Sequence, residues 1–230
     1  MCEHALIYCY YLTWRMREFE ATFLPDNISE KGLKHVSSFL DLQQEQQIDH
    51  LLWSDTGYKP QVGFAMAYND KGIFIKFSVQ ERFVKAVYRE INEPVYKDSC
   101  VEMFIAFNGD DNYYNLEFNC LGTALVGYGS GKHDRINLQK QFIKKIKSVH
   151  HLKTDINSDE MPIKWHLVLY IPYDVFVHHH INTLTGNKCR ANFYKCGDDL
   201  PEPHFLSWNN IESLTPNFHL SEFFGLVKFT

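Results

Sequence analysis

An alternation of apolar and polar side chains in two neighbouring segments constrains the fold of this 230-residue chain more than any other feature. In residues 101–107 and 113–120 every second residue is apolar, and the opposite face carries acids and amides. A period of two is typical of β-strands that bury one face. Between them, the turn-forming residues 108–112 (NGDDN) favour a tight connection. We therefore expect two strands with an exposed polar face.

Similar short segments recur along the rest of the chain. Residues 61–68 and 73–79 predict a hairpin, and a helix is expected within 29–52, with Ser29 or Asn27 as its N-cap. Further strands are predicted at 84–89, 123–128, 142–150, 165–171, 191–196 and 223–229, with one or two helical turns at 174–180. Many short strands with regularly spaced turns predict an all-β fold, an antiparallel β-sandwich of jelly-roll or immunoglobulin-like type.

The expected domain organisation is one β-sandwich with a short, less regular start. Residues 1–50 are interpreted as an N-terminal extension packing on the domain, and 51–230 as the sandwich. The apolar stretch 5–14 lacks a preceding basic residue and a cleavage site, and it is too short for a membrane span. We therefore expect either an N-terminal strand or an ill-defined start there, and no membrane partner, and we assign no compartment.

Charge and cysteine spacing narrow the classes of ligand. The net charge of -5 argues against nucleic acid, which requires a basic surface. The six cysteines form no C-x-x-C pair, so no structural zinc site and no other metal site is predicted. Carboxylates, amides and aromatic rings along the polar strand face instead suit a polyhydroxylated ligand, because sugar hydroxyls both donate and accept hydrogen bonds.

Two motifs carry a resemblance to a known family. The segments YKDSCVEMFI (96–105) and YYNLEFN (113–119) resemble the family 9 carbohydrate-binding modules, within a superfamily that includes the DOMON domains. The similarity is strongest to a bacterial family 9-like branch, and it extends to residues 190–198 and to the tail 207–225. The resemblance implies non-catalytic binding of a mono- or oligosaccharide, in support of polysaccharide or oligosaccharide catabolism. It is also compatible with an extracytoplasmic location.

The resemblance also implies a site. Two aromatic residues that sandwich a sugar ring in the family fall at Tyr96 and Phe218, and the acid of the motif is Glu102. Glu117 occupies the position of an arginine in the best-known module. The remaining candidate ligand-binding residues are Asn115, Asn119, Asn217 and Arg190. The family's structural calcium sites are not matched by a ligand set, so no cofactor is assigned.

Three other functions stay open from the residues alone. Glu102 and Glu117 on adjacent strands could serve a glycoside hydrolase-associated or weakly hydrolytic domain, which needs two carboxyl groups. An interaction domain that has lost sugar binding would keep the same fold. A haem-binding DOMON-type domain would need an axial Met and His, but alternation places Met103 on the core face and no His partner is identified. Arg135, like Arg190, would suit an acidic sugar.

Overall fold

The computed structural model describes residues 16–153 and 162–230, which fold into fourteen strands and a few short helices. The strands are β1 (Glu18–Phe23), β2 (Gln46–Gln47), β3 (His50–Leu52), β4 (Gln61–Asn69), β5 (Gly72–Glu81), β6 (Cys100–Ala106), β7 (Tyr113–Asn119), β8 (Ala124–Gly129), β9 (Ile136–Asn137), β10 (Lys147–Lys153), β11 (Ile163–Pro172), β12 (Lys188–Cys196), β13 (Phe205–Ser207) and β14 (Gly225–Phe229). The helices are α1 (Asp26–Ser29), α2 (Leu33–Leu40) and α3 (Lys140–Ile143), with 3₁₀ turns at Val95–Lys97, Tyr173–Val175 and Ser221–Phe223.

The strands form two packed sheets joined by one strand. The back sheet has the order β10-β11-β5-β4, and the front sheet has the order β14-β12-β6-β7-β8-β9. Residues 18–21 of β1 pair with β14 and residues 22–23 pair with β4, both in parallel. The predicted β-sandwich is therefore confirmed, but the purely antiparallel arrangement is wrong, because β1 crosses between the sheets in parallel with both neighbours.

Alternate residues of facing strands meet in one large core. Phe64 of β4 stacks on Phe193 of β12 with ring centroids 3.9 Å apart, which joins the two sheets at their centre. Trp208 contacts Phe19 edge to face, and both it and Trp165 are buried, as expected for core residues. Met103 also lies in this core, which leaves it unable to act as an exposed axial ligand.

Residues 16–49 contribute elements to this fold. Besides β1, they supply α2, whose Val36 and Leu40 pack on the outer face of the back sheet. The small side chains of Ala65 and Ala67 allow the helix to approach closely there. The helix expected in this region is present, but Ser29 ends α1 instead of capping a helix, and Gly32, with φ of 94°, precedes α2. No helix in the described part of the chain is long and apolar enough to cross a membrane.

Two predicted strands differ from the structure for identifiable reasons. Residues 84–89 form a loop, because the side chain of Asp98 accepts the backbone N–H groups of Val87 and Tyr88 that a strand partner would otherwise take. The predicted strand 142–150 splits into the end of α3 and the start of β10. The predicted helical turns at 174–180 reduce to one 3₁₀ turn, Tyr173–Val175. The strand expected at 5–14 lies outside the described residues.

A buried ion pair links the two sheets inside the core. Lys195 of β12 and Glu81 of β5 have fully buried side chains, with Nζ 2.9 Å from Oε2. Lys195 Nζ also donates to the carbonyl of Cys196 (2.8 Å) and to Nε2 of His204 (2.9 Å). Trp165 Nε1 donates to the other oxygen of Glu81 at 2.7 Å. A buried charge needs such a set of partners to be tolerated.

His204 makes folding stability depend on pH. Burial, followed by the charge of Lys195, lowers the pKa of His204 from 6.5 to about 3. The ring therefore stays neutral, and its Nε2 accepts a hydrogen bond from Lys195 Nζ. Because the folded-state pKa is lowered, the stabilising contribution is present above pH 6.5 and is lost as pH falls below it. From pH 7 to pH 5 we expect wild type to lose ~2 kcal/mol relative to His204→Gln. Urea unfolding of both proteins at both pH values measures this, and parallel pH dependences would contradict it.

Candidate functional site

A cavity of about 220 Å³ opens on the outer face of the front sheet. Strands β6, β7 and β12 form its floor, and its walls come from loops and from the 3₁₀ turn Val95–Lys97. The lining residues are Trp53, Tyr96, Glu102, Glu117, Lys132, Arg135, Cys196, Asp198, Phe205, Pro216, Asn217, Phe218 and His219. The structure thus brings together five residues predicted from the sequence: Tyr96, Glu102, Glu117, Asn217 and Phe218.

Two carboxyl groups form the centre of the floor. Glu102 of β6 and Glu117 of β7 are directly opposite in the antiparallel register. The strand face was expected to be exposed, but the loops around it leave Glu102 only 3% and Glu117 only 2% accessible. Burial raises the pKa of Glu117 to about 7, while burial and the neighbouring Glu117 raise that of Glu102 well above 4.5. Because the folded state disfavours the charged forms of this pair, a ligand whose hydroxyl groups donate to the two carboxyl groups would relieve the cost of burying them.

Asn115 acts behind Glu117 instead of lining the cavity. Its Nδ2 donates to Glu117 Oε1 at 2.8 Å, and its own side chain is fully buried. Glu117 Oε2 is also buried and has no hydrogen-bond partner in the described part of the chain. Asn115 therefore positions the carboxylate and leaves one oxygen of Glu117 ready for a ligand.

Asn119, another predicted ligand-binding residue, forms hydrogen bonds to neighbouring loops instead of lining the cavity. Its Nδ2 donates to Asp98 and to the carbonyl of Tyr88, and its Oδ1 accepts the N–H groups of Leu121 and Thr123. These contacts fix the loop before β6 and the turn after β7. The side chain is fully buried and is not part of the cavity lining.

Arg190 is likewise turned away from the cavity. Its guanidinium donates to the carbonyl oxygens of Ser221 (3.1 Å) and Asp110 (2.9 Å). These contacts tie two loops to β12, and the residue is not among those lining the cavity. The structure does not bring Arg190 to this cavity, because Arg190 lies near the opposite end of β12 from Cys196, which lines the cavity.

The cation at the site comes from a loop that sequence reasoning gave only a minor role. Arg135 Nη2 lies 3.9 Å from Glu117 Oε1, so it supplies positive charge beside an acid that stands where the best-known module has an arginine. Its Nη1 donates to the ring of His219. Burial, followed by Arg135, lowers the pKa of His219 to about 2, so the ring is neutral and can accept this bond.

Aromatic residues from three distant segments form the apolar wall. Phe218 stacks on Tyr194 with centroids 4.3 Å apart and an interplanar angle of 11°, and Trp53 lies 5.7 Å from Phe218. Trp53 has a φ of 44°, rare for a bulky residue, and its Nε1 donates to the carbonyl of Ser213 at 2.7 Å. Such an outlier is typical of a functional site. The sequence did not point to Trp53, because nothing near it in the chain marks this backbone conformation.

A family model described as carbohydrate-binding family 9 matches residues 35–229. The chain belongs to carbohydrate-binding family 9. The resemblance inferred from the two strand motifs is thereby confirmed, and carbohydrate binding is the function that the family assigns. No curated protein matches the chain in sequence.

Solved structures of family 9 proteins share this architecture. A protein from Bacteroides uniformis, for which carbohydrate binding has been proposed, is 33% identical, with a TM-score of 0.84 over 94% of this chain and 100% of that one. A family 9 module from Caldicellulosiruptor kristjanssonii in complex with glucose has a TM-score of 0.61 at 11% identity, covering 93% and 96% of the two chains. A complex from the same organism with cellotriose gives 0.58 at 10% identity, covering 93% of each. At these low identities the last two structures support the β-sandwich fold alone.

Gly225, at the end of the tail 207–225 that resembles the family, has a clear steric role here. Gly225 opens β14 between β1 and Trp208, and an added Cβ would overlap the carbonyl oxygen of Arg17 and the Trp208 ring. The preceding Phe224 is buried beside Phe104 and Tyr113, beneath the segment that carries Phe218. In this family 9 protein, Phe224 and Gly225 therefore hold the segment that carries Phe218 against the front sheet.

Proposed function

We propose that this family 9 protein binds a monosaccharide, or one end of an oligosaccharide, in the front-sheet cavity without hydrolysing it. The observation that carries the proposal is the buried pair of Glu102 and Glu117 at the floor of a cavity with an aromatic wall. Carboxylate oxygens accept hydrogen bonds from sugar hydroxyls. Aromatic rings of Trp53, Tyr96 and Phe218 would cover the apolar faces of a sugar ring.

The size of the cavity favours a single ring over a long segment of polysaccharide. Its volume of about 220 Å³ lies below the roughly 300–1,000 Å³ typical of pockets for drug-sized ligands. One terminal sugar would occupy it, and the rest of an oligosaccharide would extend outward. Because relatives from Caldicellulosiruptor kristjanssonii were solved with glucose and cellotriose, gluco-oligosaccharides come first among candidate ligands. A role in polysaccharide or oligosaccharide catabolism follows from such a ligand.

The placement of the two acids supports binding over hydrolysis. A glycosidase holds its two carboxyl groups on either side of the scissile bond. Glu102 and Glu117 are cross-strand neighbours on one floor, so both would approach a sugar from the same side. We expect no release of reducing sugar from any oligosaccharide that binds, and release that is lost in Glu117→Gln would overturn this part of the proposal.

The proposal is tested by calorimetric titration against a panel of neutral and acidic mono- and oligosaccharides. Aromatic contacts contribute ~0.5–1.5 kcal/mol each and charged hydrogen bonds ~1.5–3 kcal/mol, so after association costs we expect micromolar to millimolar affinity. If no sugar in the panel binds, the result would favour an interaction domain that has lost sugar binding.

Removing one aromatic wall is expected to weaken sugar binding measurably. Phe218→Ala should lower affinity by about 10-fold, because it deletes one ring contact. Phe218→Leu, which keeps apolar volume against Tyr194 but not the ring, should lie between alanine and wild type. Phe23→Ala, on the distant strand β1 and partly exposed, is the matched control and should bind as wild type. Equal affinities for all four proteins would contradict a role for the Phe218 ring.

A further inference from the structure

Two cysteines meet beside Glu102 at the floor of the cavity. Cys100 of β6 and Cys196 of β12 are directly opposite in the antiparallel register, and Glu102 follows Cys100 on the same face of its strand. Cys196 Sγ lies 3.1 Å and Cys100 Sγ 4.0 Å from Glu102 Oε1. The two sulfur atoms and a carboxylate oxygen all lie within 4.8 Å of one another, and all three residues are buried. The three ligand atoms therefore converge on one point.

This spacing fits a tetrahedral metal ion. With Zn–S bonds of about 2.3 Å and Zn–O bonds of about 2.0–2.2 Å, the ligand atoms of a zinc site lie about 3.6–3.8 Å apart. Small side-chain adjustments would bring the present contacts to those separations. Cys196 and Glu102 line the cavity, so the fourth position would face the open space in which the ligand sits. Three protein ligands and one open position are typical of zinc sites that act on a bound molecule.

A second observation at this floor points to a ligand. Glu117 Oε2, across from Glu102, is buried and has no hydrogen-bond partner among the described residues. It could accept a hydrogen bond from a water or hydroxyl group bound to the metal, as outer-shell carboxylates do. The cavity is lined by three carboxyl groups, those of Glu102, Glu117 and Asp198, and by two basic groups, those of Lys132 and Arg135, and the Arg135 guanidinium lies 3.9 Å from Glu117. A divalent cation would therefore also compensate the acidic floor.

We propose that Cys100, Cys196 and Glu102 bind a zinc ion whose fourth coordination position is open to the sugar cavity. Two thiolates select a soft or borderline cation such as Zn²⁺ over calcium, which takes six to eight oxygen ligands. The sequence predicted no zinc site, because it lacks closely spaced cysteine pairs. Here the two cysteines lie far apart in the chain, and only the pairing of β6 with β12 joins them. The ion would add a hydroxyl-binding position to the cavity, and its binding does not depend on sugar being bound.

The test is a cobalt titration of the reduced full-length protein in the absence of sugar. Cys2→Ser and Cys9→Ser are introduced first, so that thiolate signals arise only from the four cysteines that the structure describes. We expect one equivalent of Co²⁺ to produce a thiolate-to-cobalt charge-transfer band and the visible absorption of tetrahedral cobalt. Zn²⁺ should displace Co²⁺ and abolish both absorption signals, and Ca²⁺ should leave them unchanged.

Matched variants assign the signal to this cluster. Cys196→Ser should weaken cobalt binding by more than roughly 100-fold, since loss of outer-shell groups alone costs about 10–100-fold. Cys189→Ser replaces a buried cysteine at the other end of the same strand and should bind as the parent does. If Cys196→Ser does not fold, Glu102→Gln provides the same test, because it removes a ligand and keeps the side-chain shape.

Three results would overturn the zinc proposal. These are a titration without a charge-transfer band, a cobalt affinity that is unchanged in Cys196→Ser or Glu102→Gln, and a disulfide between Cys100 and Cys196 that persists in the presence of reductant and prevents metal uptake. Sugar titrations with and without a chelator are run separately. Equal sugar binding with and without the chelator would overturn the proposed contribution of the ion to the sugar site and would leave the proposed function standing. A protein that binds cobalt but no sugar keeps the metal site alone.

Discussion

Glu102→Gln is expected to lower sugar affinity by roughly 10- to 150-fold, which corresponds to the loss of one charged hydrogen bond of ~1.5–3 kcal/mol. Glutamine keeps the shape of the side chain but replaces one acceptor oxygen by a donor. Because the wild-type affinity is expected between micromolar and millimolar, such a loss would bring binding close to the limit of calorimetry. The measurement is a titration with the tightest-binding member of the sugar panel.

The same substitution should leave the fold intact or make it more stable. Burial raises the pKa of Glu102, which means that the folded state disfavours its charged form, and glutamine has no charge to desolvate. Loss of binding together with unchanged or raised stability in urea unfolding would identify a residue kept for its ligand. Glu20→Gln, an exposed glutamate on β1, is the matched control. Wild-type affinity in Glu102→Gln would remove this residue from the site.

Lys195→Met should destabilise the protein by ~3–5 kcal/mol, the largest stability effect that we expect. The substitution removes the ammonium group 2.9 Å from Glu81 Oε2 and leaves that carboxylate buried in the core between the sheets. Among the described residues, the Trp165 indole N–H would still donate to Glu81 Oε1, and His204 Nε2 would remain 3.6 Å from Oε2 without the positive charge of the lysine. The midpoint of urea unfolding, with its slope checked for two-state behaviour, measures the change.

A double variant separates the ion pair from the packing around it. In Lys195→Met with Glu81→Gln no charge remains buried, so much of the lost stability should return, with a coupling free energy of ~1–3 kcal/mol. Lys71→Met breaks an exposed pair with Asp26 and should change stability by less than ~1 kcal/mol. Additive effects of Lys195→Met and Glu81→Gln would contradict direct coupling of the two groups across the core.

The sequence predicts the fold through features that are local. Alternation in β4, β5, β6 and β7 identifies strands, and turn residues between them identify the hairpins. A strand's period of two also places Glu102 and Glu117 on a common face, and the resemblance to the family adds Tyr96, Asn217 and Phe218 to the residues that line the cavity. What local patterns do not give is the parallel crossing of β1, which depends on pairing between the two ends of the chain.

The residues of the candidate site that the sequence did not predict reach the cavity through tertiary contacts. Trp53 and Arg135 reach the cavity from loops whose direction is fixed by single hydrogen bonds, such as that from Trp53 to Ser213. Asn119 and Arg190 have the chemistry of ligand-binding residues but are used by the backbone of neighbouring loops. The burial of the polar strand face also follows from those loops, which fold back over it. None of these outcomes has a periodic signal in the sequence.

The central claim is that sugar binds over Glu102 and Glu117 in the front-sheet cavity. It is tested most directly by a crystal structure of the protein with the tightest-binding sugar of the panel. The account predicts one sugar ring in the cavity, with hydroxyl groups within hydrogen-bond distance of both carboxylates and a ring face against Phe218 or Trp53. A sugar bound only elsewhere, for example in the groove over the back sheet between His166 and Gln61, would contradict it.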